Sequence, residues 1–235
     1  MTRMQPDTMA VIGSSFRSAW PLMERRLPVY GILAVLTACG VVLGMWLNSF
    51  AGPSDQQMVR FDIAWQPMAA FTAIAMFFIL PEVIRAVRPE FKMTFALVLL
   101  YIGIGFVAAL AIEIGFVLVI WPGVWLAVKL GFSTYIYLIE PDKNPFAESW
   151  QLTTGHFWST LGFMLLLAIL VGLVELVVIG VPIALAWFFP SGAIVLSPLA
   201  LFGSIYVYYV SFLAYVRWLL ELRGLRSTQG ERQPA

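Results

Sequence analysis

Long uninterrupted runs of apolar residues limit this chain to a small set of folds. A bilayer core of ~30 Å is crossed by a helix of ~20 apolar residues, and six such runs can be counted. They lie at about 29–50, 67–87, 93–120, 124–139, 157–189 and 193–220. We therefore predict an all-α fold, a polytopic membrane helix bundle with six transmembrane helices that forms a single integral membrane domain over residues 1–235.

Turn-forming residues separate several of these runs. Trp121-Pro122-Gly123 predicts a tight turn between the third and fourth runs, and Pro190-Ser191-Gly192 predicts another between the fifth and sixth. The fifth run has 33 residues, which is too long at ~1.5 Å per residue for one straight crossing. Gly180 and Pro182 are therefore expected to break or kink it. A polar loop is predicted at 51–66.

Composition excludes several classes of protein. Of the 235 residues, 61% are apolar and 11% are charged, whereas a soluble domain has ~45–50% and ~25%. A soluble enzyme, a disordered linker and a nucleic-acid-binding protein therefore do not fit the whole chain. The single cysteine, Cys39, and the single histidine, His156, leave no intrachain disulfide and no Cys-based or multi-His metal site. No metal and no cofactor are expected.

Basic residues are distributed unevenly among the segments that join the runs. One Lys or Arg, Arg60, lies on one side, and Lys129 lies within a run. The other twelve lie on or next to the opposite side: Arg3, Arg17, Arg25, Arg26, Arg85, Arg88, Lys92, Lys143, Arg217, Arg223, Arg226 and Arg232. The positive-inside rule then predicts a bacterial inner (plasma) membrane protein with both termini in the cytoplasm. Residues 1–28 form a cytoplasmic arm and 221–235 a cytoplasmic tail.

A weak internal repeat relates two parts of the chain. A shift of 130 positions aligns Phe16–Leu22 with Phe146–Leu152, so that Phe, Trp and Leu coincide. Because four passes separate the two copies, the repeat is parallel. In the first copy, one face of a helix is formed by apolar residues at helical spacing, namely Phe16, Trp20, Met23 and Leu27.

Each copy of the repeat therefore predicts an interfacial amphipathic helix on the cytoplasmic leaflet, with nearby Arg residues facing anionic lipid. Its interfacial anchors would be Trp20 in the first copy and Trp150, His156 and Trp158 in the second. Ordinary helix ends that carry interfacial aromatic residues give the same pattern, and this alternative stays open.

Glu113, Lys129 and Glu175 are singled out as charged residues inside the predicted passes. Glu113 lies eight residues before Trp121 and Lys129 lies eight after it, so two antiparallel helices would bring both to one depth in the outer half of the bilayer. Charges in a membrane are costly and mark functional sites by default. The three residues are interpreted as a charged cluster for proton coupling or for a lipid headgroup. A structural ion pair that locks the passes together is the alternative.

Two stretches resemble a known family. Glu148–Trp158 is similar to the SW-x-L-T-x-G-x-F-W signature of the membrane domain attached to some glycerophosphodiester phosphodiesterases, and of YciC-like inner-membrane proteins. Val119–Leu130 is similar to the IPG-(I/V)-(Y/W)-L-A-V-(R/K)-L stretch of the same group, from which Trp121 departs. The resemblance implies a six-pass α-helical membrane domain. It does not imply phosphodiesterase activity, because the catalytic barrel of those enzymes is a separate part.

These observations predict a non-enzymatic protein, a membrane scaffold or partner subunit linked to envelope or lipid homeostasis. Its expected partners are membrane lipids, including anionic phospholipid headgroups, and a protein partner or a second copy of the chain, but not nucleic acid. A small transporter or lipid-handling protein that uses the charged cluster is the alternative. A membrane-embedded enzyme is the third and weakest hypothesis.

Overall fold

The computed structural model describes residues 7–48 and 56–230. Four parts of the predicted organisation therefore lie outside the described residues. These are the first six residues of the arm, the end of the first pass at 49–50, residues 51–55 of the loop and the last five residues of the tail.

Within the described ranges the chain is almost entirely helical and contains no strand. The helices are α1 (Thr8–Glu24), α2 (Leu27–Asn48), α3 (Gln56–Arg85), α4 (Phe95–Leu118), α5 (Ile120–Leu130), α6 (Ser133–Ile139), α7 (Pro145–Thr153), α8 (Phe157–Glu175), α9 (Val181–Phe188) and α10 (Ala193–Gly230).

Six helical segments are long and apolar enough to cross a membrane. They are Leu27–Trp46, Gln66–Arg85, Phe95–Leu118, Ile120–Ile139, Phe157–Gly180 and Ala193–Gly224. The predicted all-α bundle with six membrane-spanning segments is thereby confirmed, and the chain is a multi-pass membrane protein.

The fifth pass is interrupted where its sequence predicts a break. α8 ends at Glu175, a π-helical turn covers Leu176–Gly180, and α9 continues the chain from Val181. Pro182 follows directly, and because it has no backbone N–H it cannot donate to a carbonyl of the π-helical turn. A β-carbon on Gly203 of α10 would overlap the side chain of Val178, so α10 approaches the π-helical turn closely.

The turn between the third and fourth passes lies earlier in the chain than predicted. α4 ends at Leu118, and Val119 is extended, with φ of −163° and ψ of 147°. Pro122 is the third residue of α5, within the first helical turn, where proline is tolerated. The Trp121-Pro122-Gly123 stretch therefore starts a helix instead of forming the turn itself.

Two other boundaries also differ from the prediction. Residues 56–66, predicted as part of a polar loop, belong to α3, which continues through Pro67 and Pro81. The fourth pass is divided into α5 and α6 by a short non-helical step at Gly131 and Phe132.

The described chain divides into two compact units. The first contains the described residues of Met1–Ser15, Val83–Ala168 and Phe212–Ala235, and the second those of Phe16–Glu82 and Ile169–Ser211. Four helices, α1, α3, α8 and α10, contribute residues to both units. Because the described chain divides into two units, the single integral membrane domain expected over residues 1–235 stays a prediction.

Stacked aromatic rings form the core of the first unit. The rings of Phe163 and Trp218 are parallel, with centroids 4.4 Å apart, and Tyr135 stacks on Tyr215 at 5.4 Å. Phe132 meets the edge of Tyr215. Trp218 also donates a hydrogen bond from Nε1 to Thr160 Oγ1 at 3.4 Å, so its buried polar atom is satisfied.

Tyrosines of α10 organise the second unit. The hydroxyl groups of Tyr30 and Tyr209, both fully buried, are hydrogen-bonded at 2.7 Å. Tyr206 donates a hydrogen bond from its hydroxyl to the backbone carbonyl of Phe16 at 3.1 Å, and the two rings are 6.4 Å apart. These contacts connect α10 to α1 and α2 within this unit.

Candidate functional site

The two stretches that carry the family resemblance lie against each other in the first unit. Residues of α5 at every fourth position, Trp121, Trp125 and Lys129, contact the segment formed by α7 and the start of α8. A spacing of four places side chains on one face of a helix. One face of α5 is therefore dedicated to this contact.

Aromatic residues make up most of the contact. The Trp125 and Trp150 rings meet edge to face at 4.5 Å. Trp121 lies 6.1 Å from Phe157 and 5.9 Å from Trp158. Rings at such distances and tilts attract each other in addition to burying apolar area, so the start of α5 is held beside the start of α8.

Lys129 is the charged residue of this contact. The residue is 6% exposed. Its Nζ donates a hydrogen bond to Thr154 Oγ1 at 3.0 Å and lies 5.5 Å from the centroid of the Trp150 ring. Those two contacts are a hydroxyl acceptor and a cation–π interaction, and neither neutralises the ammonium charge. No carboxylate pairs with Lys129 among the residues that the structure describes.

Local sequence explains how α7 presents these groups. The Asn144 side chain caps α7 by accepting from the backbone N–H groups of Phe146 and Ala147 at 3.1 and 3.2 Å, and Pro145 occupies the first turn. Gly155, with φ of 86°, makes the turn into α8, a backbone conformation that favours glycine.

Ser149 fixes α7 onto α5. Its buried hydroxyl donates a hydrogen bond to the backbone carbonyl of Lys129 at 2.7 Å. That carbonyl lies in the last turn of α5, where helix geometry leaves carbonyls without a helical partner. The Ser-Trp pair of the signature thus has two separate tasks: Ser149 attaches the helix, and Trp150 contacts Trp125 and Lys129.

An open apolar groove runs beside the contact. It is lined by Val107 and Ala111 of α4, Leu130 of α5, and Phe146, Ala147 and Trp150 of α7. Trp150 is shared, since one part of the residue lines the groove and its ring lies beside the Lys129 ammonium. The arrangement places a cation next to a surface suited to a hydrocarbon chain.

The predicted pairing of Glu113 with Lys129 is wrong. Glu113 is exposed on α4 and makes no ion pair with Lys129. A β-carbon on Gly115 would lie 2.9 Å from Gly123 Cα, so Gly115 packs opposite Gly123 and the midpoint of the hairpin is Val119. Glu113 is then opposite residue 125, four residues or ~6 Å along the helix from Lys129.

The structure places Lys129 beside a polar turn, and its depth in the bilayer stays a prediction. Its ammonium reaches Thr154, in the polar turn between α7 and α8, and long cationic side chains commonly extend in this way to a polar boundary. Glu175 ends α8, is half-buried and belongs to the second unit, where it interacts electrostatically with Tyr208.

The predicted anchors have different surroundings. Trp20 is 53% exposed and Trp150 38% exposed. Trp158 is also exposed and contacts Trp121, and the backbone carbonyl of His156 accepts from Thr160 N at 2.9 Å at the start of α8. Their role at a membrane surface stays a prediction.

The predicted apolar face of α1 is divided. On this face, Phe16 packs on Tyr206 and Met23 is buried, whereas Trp20 stays largely exposed. The buried residues of α1 are Val11, Ile12, Ser15, Ala19 and Met23. Ala19 and Ser149, which the repeat aligns, are both fully buried, so the two copies share a small inward residue followed by an exposed Trp.

A second charged site, in the second unit, is absent from the sequence-based prediction. Arg26 donates to Glu82 Oε1 from Nη2 at 2.5 Å and from Nε at 3.0 Å. This hydrogen bond and the Glu82 charge raise the pKa of Arg26 above its usual range. Glu82 lies within the second predicted pass next to Pro81, and this location was the one sequence feature that could have indicated the charged site.

Within residues 7–48 and 56–230, no group of three His, Cys, Asp or Glu side chains is placed to hold a metal ion. Comparisons of the chain with family models, curated proteins and solved structures find no match.

Proposed function

We propose that the protein is a non-enzymatic scaffold or partner subunit of the bacterial inner membrane that acts in envelope or lipid homeostasis. The observation that carries this proposal is the attachment of α7. Ser149 and Trp125 hold the helix on α5, yet Trp150 remains 38% exposed. A fixed helix with an exposed Trp beside a cation is suited to binding at the headgroup region of a leaflet.

The orientation proposed for this function has both termini in the cytoplasm. The twelve-to-one distribution of basic residues supports it. α1 and α7 then lie on the cytoplasmic side, where anionic lipids attract nearby Arg and Lys residues. The resemblance to the YciC-like group is compatible with this orientation and with a role that involves no phosphodiesterase activity.

The alternative, transport or lipid handling by an outer-half charged cluster, loses its main support. Such a cluster needs Glu113 and Lys129 at one depth, and the register of α4 on α5 separates them. Lys129 instead contacts Thr154 in the turn between α7 and α8, which supports a role at the proposed surface helix α7.

Complementation of a deletion strain tests the proposed function. We expect deletion to change the phospholipid composition or permeability of the envelope, and the wild-type gene to restore both. The double variant Trp20→Ala/Trp150→Ala should be inserted normally but restore neither. Trp46→Ala is the matched control because Trp46 is also exposed but lies at the far end of α2.

Enzymatic turnover is tested separately. Purified protein incubated with inner-membrane lipids should leave every lipid species unchanged by mass spectrometry. Time-dependent accumulation of a product would overturn the non-enzymatic assignment, and full rescue by the double Trp variant would overturn the role of the two surface helices.

A further inference from the structure

Lys129 is a buried residue that forms no ion pair within residues 7–48 and 56–230. Among these residues its ammonium donates a hydrogen bond to the hydroxyl of Thr154, and the Trp150 ring lies 5.5 Å away. An ammonium has three N–H donors, and one of them makes the hydrogen bond to Thr154. A charge removed from water without a counter-ion is costly. Such an environment favours the binding of an anion.

The surroundings of Lys129 restrict what that anion can be. Thr154 is exposed, so the ammonium can be approached at the turn between α7 and α8. The groove lined by Val107, Ala111, Leu130, Phe146, Ala147 and Trp150 begins at the same Trp ring and is almost purely apolar. A ligand that fits both features has an anionic head and a hydrocarbon chain.

We propose that Lys129, Thr154 and Trp150 form a binding site for the headgroup phosphate of an anionic phospholipid, with one acyl chain in the adjoining groove. The Lys129 ammonium donates its remaining hydrogen bonds to phosphate oxygens. The Thr154 hydroxyl donates to the backbone carbonyl of Trp150 at 2.7 Å and orients the ammonium by accepting from it. Trp150 separates the polar site from the acyl chain. Charge-assisted hydrogen bonds to phosphate are about twice as strong as neutral ones. A zwitterionic lipid has the same phosphate but carries a headgroup cation that repels the Lys129 ammonium, so the net interaction favours an anionic lipid.

This inference deepens the proposed function, since it gives one of the two surface helices a defined lipid ligand. The two can fail independently. The proposed function depends on the exposed Trp residues and on envelope physiology, whereas the lipid site depends on the charge of one buried lysine and on binding by the purified protein.

Native mass spectrometry of the full-length protein in detergent measures the site directly. The probes are dioleoyl phosphatidylglycerol and dioleoyl phosphatidylcholine, which have the same acyl chains but different net charge. We expect tighter binding of the anionic lipid. Lys129→Met keeps the length of the side chain and should weaken that binding about tenfold, as expected for the loss of one charge-assisted hydrogen bond.

Two controls isolate the charge at this position. Lys143→Met removes the same charge from an exposed lysine that pairs with Glu140 at 3.0 Å, and it should leave binding unchanged. Lys129→Arg keeps the charge and should retain most of the affinity. If Lys129→Met fails to fold, Ala147→Trp fills the groove from an exposed position and should reduce binding of both lipids.

The result that overturns the proposal is equal binding of phosphatidylglycerol by Lys129→Met and by the wild-type protein. Equal affinity of the wild type for the two lipids would also overturn it, since the headgroup charge would then have no role. Sodium phosphate is the third probe. Competition by sodium phosphate at the lipid's own concentration would identify a soluble anion as the ligand and reject the lipid assignment.

Discussion

At the scale of single residues, three charges inside the membrane-spanning segments have different surroundings. Lys129 contacts a hydroxyl and a Trp ring, Glu82 pairs with an arginine, and Glu113 is exposed. The sequence shows that each of these charges lies in an apolar segment, but it does not show which distant residue each one contacts. Glu82 and Arg26, for example, are 56 positions apart.

Replacement of Glu82 by Gln tests the most buried ion pair that the structure describes. The Glu82 side chain is 10% exposed and that of Arg26 38%, so the pair is partly screened by solvent. We expect a loss of about 1–2 kcal/mol, less than for a fully buried pair, read as a lower thermal midpoint in detergent. Glu90→Gln, at an exposed position, should have no effect.

The pH dependence of this pair follows from the raised pKa of Arg26. A group whose pKa is raised by folding stabilises the folded state at every pH below its unfolded pKa, and this stabilisation is lost only above it. For an arginine that range lies above ordinary working pH. Titration of Arg26 should therefore produce no change in stability between pH 6 and 9, so the thermal midpoints of the wild type and of Glu82→Gln should depend on pH in the same way. A thermal midpoint that falls across this interval in Glu82→Gln but not in the wild type would contradict this assignment.

At the scale of elements, the close approach of α4 to α5 determines the register of the hairpin. Sequence correctly predicts two helices and a short connection, but the residues that touch are Gly115 and Gly123. Gly103 and Gly105 of α4 contribute less, since a β-carbon on Gly103 would meet nothing and one on Gly105 would be 3.5 Å from Thr134 Cγ2. Small residues permit close helix packing only where a neighbour faces them.

Gly115→Ala and Gly103→Ala form a matched pair on the same helix. The added methyl group at residue 115 would meet Gly123 Cα at 2.9 Å and Leu126 Cδ1 at 3.0 Å, so the helices must separate. Overpacking of this kind costs about 1–3 kcal/mol, whereas alanine at residue 103 should be neutral or stabilise slightly through helix propensity. Thermal midpoints of the two variants, compared in one detergent, give the difference. Equal midpoints would show that the glycine contact is unimportant.

At the scale of the whole molecule, the hairpin between α4 and α5 raises a question of membrane topology. Simple alternation puts its tip and the start of α8 on opposite faces, yet Trp121 near the tip contacts Phe157 and Trp158 at the start of α8. α5 by itself has 11 residues, ~16 Å at 1.5 Å per residue, which is shorter than the ~30 Å core. Because α5 and α6 together form one of the six spanning segments, Ile120–Ile139, we expect the tip to be accessible from the side opposite the termini.

Cysteine labelling measures this accessibility, because the chain contains one cysteine, Cys39, which Cys39→Ser removes. In that background, Ile120→Cys reports on the tip, Asp142→Cys on the predicted cytoplasmic side and Ser191→Cys on the predicted outer side. An impermeant maleimide should label residue 120 from outside, together with residue 191, and residue 142 only when the inner face is opened. Labelling of residue 120 only together with residue 142 would show that Ile120–Ile139 does not cross the membrane.

The amino-acid sequence by itself determined the class of this protein. So many apolar residues with so few charges can be accommodated only by helices in lipid, and six runs of sufficient length give six spanning segments. The break near Gly180 was also readable, since it follows from length and from local backbone chemistry. The composition of α7 and its glycine turn are likewise local properties, and they agree with the structure.

Tertiary structure alone decided which side chains meet. The hairpin turns at Val119 instead of at Trp121, and a displacement of two residues in a turn moves facing positions by about one helical turn. That displacement separates Glu113 from Lys129, and the packing of α7 on α5 gives the lysine its contacts with Thr154 and Trp150. The pairing of Arg26 with Glu82 likewise depends on contacts between helices, which apolar periodicity does not encode.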